Sequence, residues 1–227
     1  MPDFTLAQIA GFLLAAALIT LAPGPDNLSV LSLGLSRGRR AGIGFGLGCA
    51  LGCFIHTLLA TLGVTALIAA SETAFTALKL AGAAYLCWLG WKALRSPGAT
   101  LSADAEVLHT DKAMRPYLVR GFVANAINPK VALFFLSYLP TFIHPEDGRP
   151  GLQALVLGLT FVGIGFCTDG GYSLLASGLR DVLLRGRALP FVRRWVAGTV
   201  FIGLGVVAAT ATATTSTSSL PAAPKGG

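Results

Sequence analysis

The stretch ITLAPGPDNLSVLS, Ile19 to Ser32, sets Pro23, Gly24, Pro25 and the carboxylate of Asp26 inside an apolar run that extends from Phe4 to Leu35. A continuous helix would lose a backbone hydrogen bond and clash with its own preceding turn at each proline. As one straight helix the run would also reach roughly 48 Å, well beyond a hydrocarbon thickness of about 30 Å. It is therefore expected to be a helix broken near its middle. Proline disfavours helical angles in the residue before it, so Ala22 and Gly24 should be non-helical, with Pro25 opening a second half-helix in the first position that proline favours.

Composition identifies the surroundings of this break. Hydrophobic residues make up 54% of the 227 and charged residues 12%, with a mean hydropathy of +0.71, against about 25% charged in an average soluble domain. Apolar runs long enough to cross a bilayer, about 20 residues each, lie at Phe4–Leu35, Ala41–Ala70, Ala74–Leu94, Leu118–Ile143, Leu152–Leu175 and Phe191–Thr210. The expectation is an all-α membrane protein with six transmembrane helices in one domain, residues 1–211, followed by a low-complexity tail, residues 212–227, expected to be disordered. The leader Met1 to Thr5 carries Asp3 and no Lys or Arg, so the first run is expected to remain as a span and not to be cleaved as a signal peptide.

The net charge of +7 does not point to nucleic acid, because the basic residues sit in short loops beside the apolar runs. Arg37, Arg39 and Arg40 follow the first span; Lys92, Arg95, Lys112, Arg115 and Arg120 surround the link from the third to the fourth; Arg180, Arg185, Arg187, Arg193 and Arg194 lie between the fifth and sixth. The opposite side offers Arg149 and Lys225, with Lys79 within snorkelling reach. The positive-inside rule then puts the three basic loops in the cytoplasm and both termini outside.

Cys49, Cys53, Cys87 and Cys167 form no C-x-x-C pair, and His56, His109 and His144 fall in separate segments without metal-ligand spacing. With no G-x-S-x-G, phosphate-loop or H-E-x-x-H motif either, the sequence carries no enzyme signature and implies no metal or cofactor.

Internal repetition carries more. AGAAYLCWLG, Ala81 to Gly90, is matched in the last span by AGTVFIGLG, Ala197 to Gly205; Gly52 with His56 is matched by Gly165 with Asp169; and the break PGPDN is matched by NPK, Asn128 to Lys130. Three matches in the same order divide the chain into halves of three spans. An odd number of spans per half gives an inverted repeat, an architecture of transporters. Asn128 can cap a helix whose first residue is Pro129, so both breaks would create half-helix N-termini approaching the mid-membrane from opposite sides. Their free N–H groups and dipoles favour an anion such as a carboxylate.

Four ionisable residues lie deep in these spans: Asp26, His56, Lys130 and Asp169. Each costs about 2.5 to 3.5 kcal/mol at the bilayer centre even on the lenient insertion scale, so such groups face a cavity or one another. Lys130 also opposes the dipole of the half-helix it begins. Structural roles compete with functional ones. Asp26 could be a helix-start carboxylate or pair with Lys130 to fix how the halves pack. His56, on the face of Gly44, Gly48 and Gly52, could be a packed, hydrogen-bonded histidine. Asp169 could lie in a loop if the fifth span ended early. The glycine face could pack within the chain or between subunits, leaving a homo-oligomer open.

LAPGPDNLSVLSLGLSRGRRAGIGFGLG, LKLAGAAYLCWLGWKALRS and GFVANAINPKVALFFLSYLPTFI together resemble the lysine-exporter family (LysE-type, RhtB-like) of amino-acid exporters, over nearly the whole chain from Phe4 to about Thr210. The resemblance implies a bacterial inner-membrane protein that exports amino acids or close derivatives, driven by the proton gradient. Its first block falls on Pro23, Gly24, Pro25 and Asn27, and its second on Asn128, Pro129 and Lys130. The expected mechanism is alternating access about a central site: the substrate carboxylate meets the half-helix N-termini and Lys130, and its ammonium pairs with Asp26 or Asp169. Asp26, Asp169 and His56 are the candidates for carrying the coupling proton. A passive channel, or an exporter of inorganic ions or metal on a related scaffold, is the alternative.

Overall fold

The structure, a computed structural model, describes residues 4–22, 24–95, 113–144, 148–178 and 191–218. Helices make up the fold and no strand occurs among the described residues. In chain order they are α1 (Leu6–Leu21), α2 (Pro25–Arg37), α3 (Arg39–Ala70), α4 (Glu72–Arg95), α5 (Arg115–Ala126), α6 (Pro129–Leu133), α7 (Pro150–Gly178) and α8 (Ala197–Ser218). A π turn, Phe134–Tyr138, and a 3-10 turn, Leu139–Phe142, prolong α6, and a second π turn, Val192–Val196, precedes α8.

Two single helices are long and apolar enough to cross a membrane, over Arg39–Gly63 and Pro150–Ala176. Two bent pairs satisfy the same test together: Gln8–Leu21 with Pro25–Arg37 at 51°, and Arg115–Ala126 with Pro129–Phe142 at 44°. By length and composition the described helices supply two spans, or up to four if each bent pair is one span. The other two expected spans fall on α4, which carries Glu72, Lys79, Lys92 and Arg95, and on the shorter apolar segment Arg194–Thr210. Lys79, expected to snorkel outward, is only 7% exposed. The last helix runs on to Ser218, into the stretch read as a tail; residues 219–227 lie outside the described residues.

Both bends fall where the prolines require them. Ala22 (φ −65°, ψ 117°) and Gly24 (φ −111°, ψ −175°) are extended, and Pro25 is the first residue of α2. Asn128 (φ −74°, ψ 111°) caps α6, its side-chain oxygen accepting from the Lys130 N–H at 2.9 Å.

Small residues set how closely the helices meet. α3 lies against α5 and α7, and α4 against α8. A Cβ on Gly48 would run into the Leu118 carbonyl of α5, and one on Gly121 into the Phe45 carbonyl of α3. The Gly44, Gly48, Gly52 face is thus spent within the chain, where it lets two backbones touch. The matched motifs of α4 and α8 also pack on each other, with Gly90 facing the Gly198 carbonyl. Beneath them Phe134 stacks on Phe161 at 4.7 Å and on Tyr138 at 5.5 Å, in the largest apolar cluster. At the ends of α4 and α8, Arg95 covers Trp91 at 4.1 Å and Arg194 covers Trp195 at 5.3 Å, as interfacial aromatics and basic residues do.

Candidate functional site

The two breaks meet at one cavity. Its walls include Asp26 and Asn27 from α2, Asn125 from α5, Asn128 and Lys130 from the second break, Asp169 and Thr168 from α7, and the apolar Ile19, Val131 and Phe161. The room open to the centre of a water-sized sphere is about 40 Å³, above the 10–15 Å³ or so that one water needs. These polar groups therefore face space as well as one another. Asp26, Lys130 and Asp169 are each 8% exposed.

The site is built from what the prolines leave undone. A helix interrupted at Pro25 strands the carbonyls of its last turn, because their donors four residues on are missing or turned away. Asn27 Nδ2 donates to the Thr20 carbonyl at 2.9 Å while its Oδ1 accepts from the Gly24 N–H at 3.3 Å. The Tyr172 hydroxyl, from α7, donates to the Leu21 carbonyl at 2.7 Å. Lys130 Nζ, from the other break, donates to the Ala22 carbonyl at 2.8 Å. The cation that opposed the dipole of its own half-helix is thus placed at the negative end of α1, where a cation is favoured. Gly24 makes this possible: a Cβ there would lie 3.1 Å from both Cδ and Nζ of Lys130.

The second break repeats the pattern. Pro129 has no N–H for the Asn125 carbonyl, four residues before it, and that oxygen accepts instead from the Asn128 N–H and from His56 Nε2 of α3, each at 2.9 Å. A carbonyl can only accept, so Nε2 carries the proton. The Asn125 side chain faces the first break. Its Nδ2 donates to Asp26 Oδ2 at 2.8 Å, and its Oδ1 accepts from the Cys53 thiol at 3.2 Å. Asn128 Nδ2 donates to the same Asp26 oxygen at 2.6 Å. Asp26 is therefore held by two amides and not by Lys130, whose ammonium goes to Ala22.

Of the residues singled out in the sequence, Asp26, Asn27, Asn128, Lys130 and Asp169 come together on the cavity. Gly24, Pro25 and Pro129 shape the turns without lining it, and Pro23 lies outside the described residues. His56 is 5% exposed and sits behind Asn125, packed 6.0 Å from the Phe135 ring. Asp169 lies well inside α7, not in a loop. Sequence reasoning missed Asn125, Tyr172, Thr20 and Thr168. Asn125 was within reach of it, since the fourth residue before a proline is the one whose carbonyl the proline strands.

A family model described as LysE type translocator matches residues 17–212. The chain is 36% identical over 200 residues to an uncharacterized membrane protein of Vibrio cholerae serotype O1, covering 88% of this chain and 95% of that protein. It is 30% identical over 199 residues to a homoserine/homoserine lactone efflux protein of Salmonella typhimurium, covering 88% and 94%. It is 28% identical over 208 residues to a leucine efflux protein of Klebsiella pneumoniae, covering 92% and 97%. No solved structure matches the chain.

Proposed function

Because this chain belongs to the LysE type translocator family, we propose that it exports an amino acid or a close derivative across the bacterial inner membrane, by exchange for protons and alternating access about the cavity between its two breaks. The observation that carries this reading is the cavity itself: two carboxylates and one lysine, buried together between two interrupted helices, beside an apolar wall of Ile19, Val131 and Phe161. That set complements a zwitterion with a small or apolar side chain. A lysine in the cavity wall disfavours a bare metal cation as cargo. Efflux relatives named for leucine and for homoserine and its lactone support the substrate class.

The reading keeps six spans in two inverted halves, with basic loops in the cytoplasm and both termini outside. Reciprocal packing supports it. The second helix of each half closes the break of the other: Tyr172 of α7 meets Leu21, and His56 of α3 meets Asn125. The third helices, α4 and α8, pack on each other through their matched motifs. Rocking of such halves exposes a central site to each side in turn.

Reconstituted vesicles test the proposal. Labelled leucine and homoserine should exchange across the membrane, and an imposed pH gradient should drive export uphill. Asp26→Asn and Lys130→Ala should abolish both in protein that remains folded. Normal transport by both variants would remove the site; fast flux that never runs uphill would make the protein a channel.

A further inference from the structure

The two carboxylates of the cavity differ in what answers their charge. Asp26 Oδ2 accepts two amide N–H bonds, from Asn125 at 2.8 Å and Asn128 at 2.6 Å. Neither amide can turn around without loss, because Asn128 Oδ1 holds the Lys130 N–H and Asn125 Oδ1 holds the Cys53 thiol. Two such donors on one oxygen stabilise the negative charge and fix the carboxylate in place. Asp169 is equally buried, at 8% exposed, and lines the same cavity from α7. Among the described residues no group donates a hydrogen bond to it. Its stem rests on α3 at Gly46, where a Cβ would come within 3.0 Å of the Asp169 Cβ.

The groups facing Asp169 do not supply what it lacks. From α2 comes Asp26, a like charge; from α6, Lys130, an opposite charge whose observed hydrogen bond goes to the Ala22 carbonyl; from α3, the thiols Cys49 and Cys53; and one turn along α7, Tyr172, whose hydroxyl proton is committed to Leu21. α1 contains no titratable side chain.

We propose that the two carboxylates divide the work: Asp26 is a fixed anion held by Asn125 and Asn128, and Asp169 is the carboxylate that exchanges a proton for the ammonium of the cargo. This deepens the export reading and rests on it for the identity of the cargo. Deprotonated Asp169, open to the cytoplasm, accepts the substrate ammonium. When the substrate leaves to the outside, a proton from that side takes its place and is carried inward, so one proton enters for each amino acid that departs. Proton and cargo compete for one group, and His56, turned away onto a backbone carbonyl, takes no part.

Infrared difference spectroscopy on the purified full-length protein reads this without any cargo. Acidification from neutral pH should raise a carboxylic C=O band that is lost in Asp169→Asn and kept in Asp26→Asn. If Asp169→Asn does not fold, Asp169→Glu serves: the band should persist at the shifted frequency of a glutamic acid. A band lost in Asp26→Asn and kept in Asp169→Asn, or one unmoved by Asp169→Glu, overturns the assignment. Absence of leucine and homoserine exchange in wild-type vesicles would instead count against the export reading, while the infrared bands still decide which carboxylate takes the proton.

Discussion

Replacing Asn125 by leucine removes one of the two donors on Asp26 and changes little else. Leucine keeps the same branched heavy-atom skeleton with bulkier methyl ends, the Cβ that packs against Gly52 stays where it is, and the backbone carbonyl that receives His56 is untouched. The Cys53 thiol loses its acceptor, but a thiol is a weak donor. What is lost is therefore close to one hydrogen bond to a charged group, about 1.5–3 kcal/mol. If binding of the cargo at Asp169 needs the fixed anion of Asp26 in its present position, apparent affinity should fall about 10- to 150-fold. Exchange of labelled leucine or homoserine in vesicles, measured at subsaturating concentration, gives that number, and size-exclusion chromatography shows whether the protein remains intact. Asn125→Asp, which sets a second carboxylate against Asp26, should be worse than Asn125→Leu. A well-folded Asn125→Leu protein with wild-type exchange would refute the idea that the amide holds Asp26 for function.

Two further outcomes follow from the packing and the breaks. Gly48→Leu should cost at least the 1–3 kcal/mol or so of an overpacked core, because the Leu118 backbone blocks the new side chain. Gly63→Ala, in the same helix with nothing around its Cβ, should leave the thermal midpoint at or above that of the wild type; similar behaviour of the two variants on heating in detergent would contradict the α3–α5 contact. Tyr172→Phe deletes only the hydroxyl on the Leu21 carbonyl and should lower stability by about 0.6 kcal/mol, the average for hydrogen bonds within membranes, and by no more than about 1.7 kcal/mol. An unchanged unfolding midpoint would mean that this bond is not formed.

Backbone chemistry explains why the breaks were legible in the sequence. Proline's missing N–H is a local property, so the extended angles at Ala22 and Gly24, the cap by Asn128 and the first-turn positions of Pro25 and Pro129 follow from a few adjacent residues. The meeting of Asp26, Lys130 and Asp169 followed from the cost of burying charge, while Asn128 entered as the cap of the second break and Asn27 through the family motif. What was not legible is where each donor goes. Lys130 looked like a partner for a carboxylate, yet its ammonium lies on the Ala22 carbonyl of a helix 108 residues away in the chain. That choice depends on how far α6 stands from α1, which is set by Gly24 and by the packing of many residues at once. Tyr172 escaped for a related reason, since an aromatic residue in an apolar helix looks the same whether or not its hydroxyl meets a stranded carbonyl. The face bearing Gly44, Gly48 and Gly52 was readable as a close-packing surface, but its partner, α5, was not, because small residues specify how near a neighbour can come and not which neighbour it is.

The first break is tied down at three consecutive carbonyls, and the ties lead to three different bodies: Asn27 belongs to the half-helix that follows, Tyr172 to α7 and Lys130 to the second break. A joint fastened in this way cannot flex by itself. Any change of angle between α1 and α2 must drag α7 and the turn that carries Lys130 or release them, and the same displacement reaches Asn128, which holds Asp26. Motion at the break and the arrangement of charge around the cavity are thus one mechanical event, so whatever rearranges the charges also moves the helices.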